Sequence, residues 1–202
     1  MPFPIVHPAL NRALDAQGYL EPTPVQEAVL QTFADGRDLL VSAQTGSGKT
    51  VAFGLAIAGS LLGADERFGQ AGAPLALIIA PTRELALQVA TELKWLYAAT
   101  GARIVTCVGG MDPRTEQRAL AAGSHIVVGT PGRLRDHVER ANLELTALKA
   151  VVLDEADEML DLGFREDLEE ILDSTPVERR TLLFSATIAK EIAGLARRYQ
   201  NG

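Results

Sequence analysis

Short apolar runs recur along the chain at 38–42, 75–80, 103–108, 125–129, 150–154 and 181–185. Each is about strand length, and most place Val, Ile or Leu at successive rather than alternate positions. A strand that is apolar at every residue is buried on both faces, the pattern of a parallel sheet covered by helices. Helical periodicity fills the intervals. Leu85, Val89, Leu93 and Leu96 step by four, four and three and so line one face of a helix. Strands alternating with helices imply right-handed crossovers and an α/β fold, with a mostly parallel sheet and helices on both faces. Ligands of such sheets bind beyond the carboxyl ends of the strands, so the residues after each run are the ones to inspect. The segment 63–74 is polar, Gly-rich and aperiodic, and reads as an exposed, mobile loop.

Composition narrows the picture. The 202 residues suit one substantial domain spanning 1–202, and 47% hydrophobic with 22% charged residues is ordinary for a globular chain. A net charge of −7 argues against coating a nucleic acid by bulk charge, yet leaves room for a local basic patch. The single cysteine, Cys107, excludes an intramolecular disulfide and a cysteine-based zinc site. It lies in an apolar strand, reads as an inert core residue and fits a reducing, cytoplasmic compartment. His7, His125 and His137 show no ligand spacing. The N-terminus lacks the pattern of a signal peptide, and the apolar stretch 75–81 is too short to span a bilayer, so no membrane partner is expected.

Two segments carry chemistry. Ala43-Gln44-Thr45-Gly46-Ser47-Gly48-Lys49-Thr50 follows the first run and precedes a predicted helix through Leu62. It matches G-x-x-x-x-G-K-[ST], with Ala43 at the first glycine. Glycines there let backbone N–H groups line an anion nest, and the next helix adds its N-terminal partial charge. Lys49 can reach outer phosphates and the Thr50 hydroxyl can ligate Mg2+. The run at 150–153 ends in Asp154-Glu155-Ala156-Asp157. A carboxylate at such a strand tip can hold Mg2+ opposite the loop threonine, and its neighbour can deprotonate an attacking water.

Asp154-Glu155-Ala156-Asp157 spells D-E-A-D, and the chain resembles the N-terminal RecA-like domain of a DEAD-box ATP-dependent RNA helicase. Further matches come in family order: Gly18 to Gln26 as the Q motif, Ala43 to Thr50, Pro81-Thr82-Arg83-Glu84-Leu85, Gly109-Gly110, Thr130-Pro131-Gly132-Arg133 and Ser185-Ala186-Thr187. The resemblance implies ATP and Mg2+ as cofactors. Gln26 would read adenine; Thr45, Gly46, Ser47, Gly48, Lys49 and Thr50 would hold the nucleotide. Thr50 and Asp154 would hold Mg2+, and Lys49, Asp154 and Glu155 would be catalytic. Pro81, Thr82, Arg83, Gly110, Thr130, Gly132 and Arg133 would contact RNA through its backbone, while Asp157, Ser185 and Thr187 would couple nucleotide state to RNA. Thr130-Pro131 also reads as a helix N-cap followed by proline at the first helical position, where free N–H groups can take a phosphate.

Blander roles compete residue by residue. Thr23 to Gln26 fits a capping box. Arg83 could pair with Glu84, and Arg133 with Asp136. Gly109-Gly110 could be a simple turn, and Ser185 and Thr187 could cap a helix beginning near Ile188. The run 166–170 reads as a solvated helix face. The family carries an aromatic about seventeen residues before the Q-motif glycine; that position is Met1, with Phe3 two positions off. The chain ends at Gly202, soon after Ser185-Ala186-Thr187, so the second RecA-like domain is read as absent and the isolated half as weakly active or inactive. An ATP-gated RNA clamp is the alternative reading, since the same motifs serve it.

Overall fold

The computed structural model describes Phe3, residues 7–31 and residues 36–201. Six strands form one sheet: β1 (Leu39–Ser42), β2 (Ala76–Ile79), β3 (Ile104–Cys107), β4 (Ile126–Gly129), β5 (Ala150–Leu153) and β6 (Arg180–Ser185). Their order is β1-β6-β5-β2-β4-β3, and every pairing is parallel, so the expected mostly parallel sheet is wholly parallel.

Alternate residues of each strand feed opposite cores. Ile78, Val128, Val152 and Phe184 face one core, which is closed by α1 (Pro8–Ala16), α3 (Lys49–Leu62) and α4 (Arg83–Leu96). Leu77, Val127, Val151 and Leu183 face the other, closed by α5 (Pro113–Ala121), α6 (Pro131–Glu139), α7 (Ala156–Asp161), α8 (Arg165–Asp173) and α9 (Lys190–Tyr199). The remaining helix, α2 (Pro24–Val29), packs on α3. Proline opens α1, α2, α5 and α6, where its missing N–H costs nothing. Phe53 of α3 meets Phe184 of β6 edge to face, 5.5 Å between centroids, and fixes the helix that follows the phosphate loop. The buried stripe of α4 runs through Ala86, Val89, Ala90, Leu93 and Leu96; Leu85 is only half-buried.

Segment 63–74 is largely exposed, yet it is pinned in several places. Phe68 stacks on Tyr97 and His125, its N–H donates to the Thr100 carbonyl, and the Asp65 and Gly69 carbonyls lie 2.7 and 2.9 Å from the Nε2 atoms of His7 and His125. Phe3 packs against the first core, and the Met1 position lies outside the described residues. Among the described residues no helix is long and apolar enough to cross a membrane.

Candidate functional site

The strand order sorts the motifs along one edge of the sheet. The segments after β1, β6 and β5 hold Ala43 to Thr50, Ala186-Thr187 and Asp154 to Asp157. Those after β2, β4 and β3 hold Pro81 to Arg83, Thr130 to Arg133 and Gly109-Gly110. Candidate nucleotide residues thus occupy one half of the carboxyl edge and candidate RNA residues the other, meeting where β5 lies beside β2.

In the first half, Gly48 caps α3 with φ +80°, a left-handed conformation that favours glycine. The Gln26 side chain is wholly buried and does two things. Its Oε1 accepts from the Thr23 N–H at 2.9 Å while the Gln26 N–H donates to Thr23 Oγ1 at 3.3 Å, the capping box. Its Nε2 donates to the Gly48 carbonyl at 3.1 Å, and the Thr23 hydroxyl donates to the Ser47 carbonyl at 2.7 Å. In a trans peptide the N–H opposes the C=O. Holding the carbonyls of Ser47 and Gly48 toward α2 therefore turns the N–H groups of Gly48 and Lys49 away from it. Cap and loop brace coexist in one side chain.

Lys49 is 6% exposed, with Nζ 3.1 Å from Asp154 Oδ1 and 3.5 Å from Glu155 Oε2. Asp154 has no exposed surface, and neither carboxylate oxygen has a well-formed hydrogen bond. Burial pushes its carboxyl up to about 6, against the pull of Lys49 and with a further push from Glu155. Asp154 and Glu155 alone separate β5 from α7, and Glu155, the N-cap residue, turns at φ +52°, rare for a residue with a side chain. The Ser47 hydroxyl is also buried without a partner. A buried carboxylate without a well-formed hydrogen bond suits a hard divalent cation, so Asp154 fits Mg2+, while Thr50 is buried in the first turn of α3.

The candidate coupling residues are joined directly. Asp157 Oδ2 accepts from the Thr187 N–H at 3.2 Å and its hydroxyl at 3.0 Å, while Ser185 Oγ donates to the Thr187 carbonyl at 2.6 Å. Burial would raise the Asp157 pKa, but hydrogen bonds from Thr187 and Ser185 prevail and hold it below the usual carboxylate value. Neither Ser185 nor Thr187 caps α9, whose N-cap residue is Ala189.

In the second half, Thr82 caps α4 through Leu85 N–H at 3.2 Å, Pro81 is buried, and Arg83, Gly110 and Gly132 are exposed. Thr130 takes the N-cap position of α6 without a side-chain cap bond. Arg83 contacts Met111 Sδ at 3.6 Å and makes no ion pair with Glu84. Arg133 pairs with Glu116 at 2.9 Å instead of Asp136, which is held by Arg140 at 2.9 Å. Segment 166–170 is more than a solvated face: Asp167 and Glu170 bind Arg135, and Glu169 binds Arg198.

No motif pointed to Glu116, a buried acid on a polar helix. It brings His137 and Cys107 into one group whose ligand-type atoms lie within 4.8 Å, a grouping the spacing of the histidines did not suggest. The group does not fit a metal. The oxygens of Glu116 are taken by Arg133, His137 and the Val108 N–H, and burial, together with the Glu116 charge, pushes the Cys107 thiol up to about 12 despite Arg133.

A family model for the DEAD/DEAH box helicases matches residues 23–195. The chain is 44% identical over 190 residues to the DEAD-box ATP-dependent RNA helicase CshA of Geobacillus kaustophilus, covering 94% of this chain and 39% of that protein. It is 45% identical over 184 residues to the ATP-dependent RNA helicase CshA of Limosilactobacillus reuteri, covering 91% of this chain and 36% of that one. The crystal structure of a DEAD box protein from the hyperthermophile Methanococcus jannaschii superposes with a TM-score of 0.85 at 39% identity, over 96% of this chain and 51% of that chain. The chain therefore spans well under two thirds of the length of these relatives.

Proposed function

Since the chain belongs to the DEAD/DEAH box helicase family, we propose that it is the ATP-binding and RNA-contacting half of an ATP-dependent RNA helicase. In that reading it couples Mg-ATP binding and hydrolysis to local separation of an RNA duplex. The observation that carries the proposal is the Lys49, Asp154 and Glu155 group at the end of the phosphate loop. With a second RecA-like domain, the parent would close on ATP and RNA together. The single buried thiol, Cys107, leads us to place the protein in the cytoplasm.

Each residue has a defined task in this scheme. The backbone of Thr45 to Gly48 cradles phosphate oxygens, and Lys49 exchanges its carboxylate partners for the outer phosphates. Thr50 and Asp154 hold Mg2+, which when bound neutralises phosphate charge. Glu155 takes the proton of the attacking water. Gln26 would read adenine with the donor and acceptor of its amide, and to do so it must exchange the Thr23 and Gly48 partners that engage both in the nucleotide-free form. Thr187 and Ser185 sense the nucleotide through Asp157. Exposed Arg83, Gly110 and Gly132 take RNA phosphates without reading bases.

Competition of ADP, GDP and AMP against a fluorescent ADP, in the wild type and Gln26→Ala, tests the nucleotide half. ADP should win in the wild type, and the variant should lose that preference. Indifference of the wild type to the base would reduce Gln26 to its capping role.

A further inference from the structure

We infer that Glu116 is a positioning residue for the RNA-contacting edge, an inference that rests on the RNA reading above. Glu116 belongs to none of the motifs and is 5% exposed. Its carboxylate nevertheless joins two other segments to its own helix α5. Oε2 accepts from the Val108 N–H, just past β3, at 2.9 Å. Oε1 accepts from Arg133 Nη1 at 2.9 Å and lies 2.8 Å from His137 Nε2, both on α6. The tautomer follows from the other side of the ring: the Asn142 amide lies 3.2 Å from His137 Nδ1 and donates to it, which leaves Nε2 carrying the hydrogen toward Glu116.

Arg133 extends the assembly. The same Nη1 donates to the Met111 carbonyl at 3.0 Å, so the turn after β3 is tied to α6 at both its ends, through Glu116 of α5 at Val108 and directly by Arg133 at Met111. Arg83 of α4 reaches this turn from the opposite side, at Met111 Sδ. Gly110 sits between them at φ +85°, and a Cβ there would stand 2.8 Å from Arg83 Nη1. Thus the three segments proposed to line the RNA path meet at 108–111; a single buried carboxylate joins two of them, and Arg83 of the third rests on the turn it holds. Hydrogen bonds from His137, Arg133 and Val108 outweigh the effect of burial and hold Glu116 below its ordinary pKa, so the brace stays charged at neutral pH.

The assignment changes what Arg133 does. Its side chain is 14% exposed and spends Nη1 on protein acceptors. It acts on RNA through the turn it holds, and the exposed backbone at Gly110 and Gly132 makes the phosphate contacts.

The sign of one substitution separates this role from simple electrostatics. Removing an acid from an anion-binding face ordinarily tightens binding, because an opposing charge is lost. If Glu116 positions the turn, Glu116→Ala weakens binding instead. The measurement is fluorescence anisotropy of a short labelled oligouridine with this chain across a KCl series, alongside amide hydrogen exchange at Val108. Glu116→Ala is expected to weaken binding about tenfold, the size of a lost charged hydrogen-bond network, with an unchanged salt slope because no phosphate contact disappears. Exchange at Val108 should quicken by about tenfold or more. Glu116→Gln keeps one carbonyl acceptor and should fall between; ADP binding by the same samples reports that each variant is folded. Unchanged or tighter RNA binding overturns the inference. A wild type that shows no salt-dependent RNA affinity instead removes the RNA reading, and faster Val108 exchange in that case marks Glu116 as a structural brace only.

Discussion

Asp154→Asn should make the nucleotide-free protein more stable while weakening its hold on Mg-nucleotide. Asp154 is fully buried, without a good hydrogen bond, and its carboxyl is raised from 3.8 to about 6. A tenfold change in proton affinity is worth about 1.36 kcal/mol, so keeping this group ionised costs the folded state about 3 kcal/mol above pH 7. Asparagine stands in for the protonated acid and removes that cost; the attraction of Lys49 is already contained in the raised value. For a chain of this size about 3 kcal/mol corresponds to a rise in Tm of roughly 6–12 °C. The pH dependence follows from the sign of the change. A carboxyl raised on folding binds protons more readily in the native state, so its penalty is full above about pH 6 and fades as pH falls toward the unfolded value. The advantage of the variant should therefore shrink to under about 1 kcal/mol near pH 4. Urea denaturation with EDTA at about pH 7.5 and pH 4 measures it, and added Mg-ADP should stabilise the wild type more than the variant. A variant less stable than wild type at the higher pH refutes the reasoning, since the Lys49 pair would then outweigh the buried charge.

Cys107 should resist alkylation at about pH 8 by roughly a thousandfold relative to an ordinary thiol from ionisation alone, with full reaction on unfolding; timed iodoacetamide labelling checks this. Gly48→Ala should cost about 2 kcal/mol or more and abolish ADP binding, because φ is +80° and the new Cβ would lie 2.5 Å from Gln26 Nε2. Gly59→Ala, in the same helix with no atom within 4 Å of its Cβ, should instead stabilise by about 0.5–1 kcal/mol in thermal melts.

Continuous apolar runs revealed the strands to within a residue or so because parallel strands are buried on both faces. They did not reveal strand order. The burial pattern reports it afterwards: β2, β4, β5 and β6 are buried at every residue, whereas β1 and β3 alternate because they lie at the sheet edges. Residues 43–50 and the acidic tip of β5 could be singled out as candidates because their motifs are contiguous in sequence. Glu116 could not. Its partners lie 8, 17 and 21 positions away, and no local spacing encodes them. The Arg133–Asp136 pair, the blander alternative for Arg133, is not formed for a related reason: Asp136 has a partner one helical turn on, at Arg140, while Arg133 is claimed by a buried acid on another helix.

The ion pairs at the nucleotide edge tie stability to the proposed activity. A buried carboxylate held by one ammonium is poor construction for stability, since hydrophobic replacements of such pairs are often neutral or better. It is a suitable construction for exchange. In the proposed function, incoming phosphates would compete for Lys49 and a divalent cation for Asp154, so each charge that leaves its protein partner would find another. Displacement of the ammonium 3.5 Å away would free the Glu155 carboxylate to face the attacking water, the role proposed for it. The left-handed φ of Glu155 and the buried Asp154–Lys49 pair thus adjoin at the carboxyl end of β5, both features that a fold selected for stability alone would avoid.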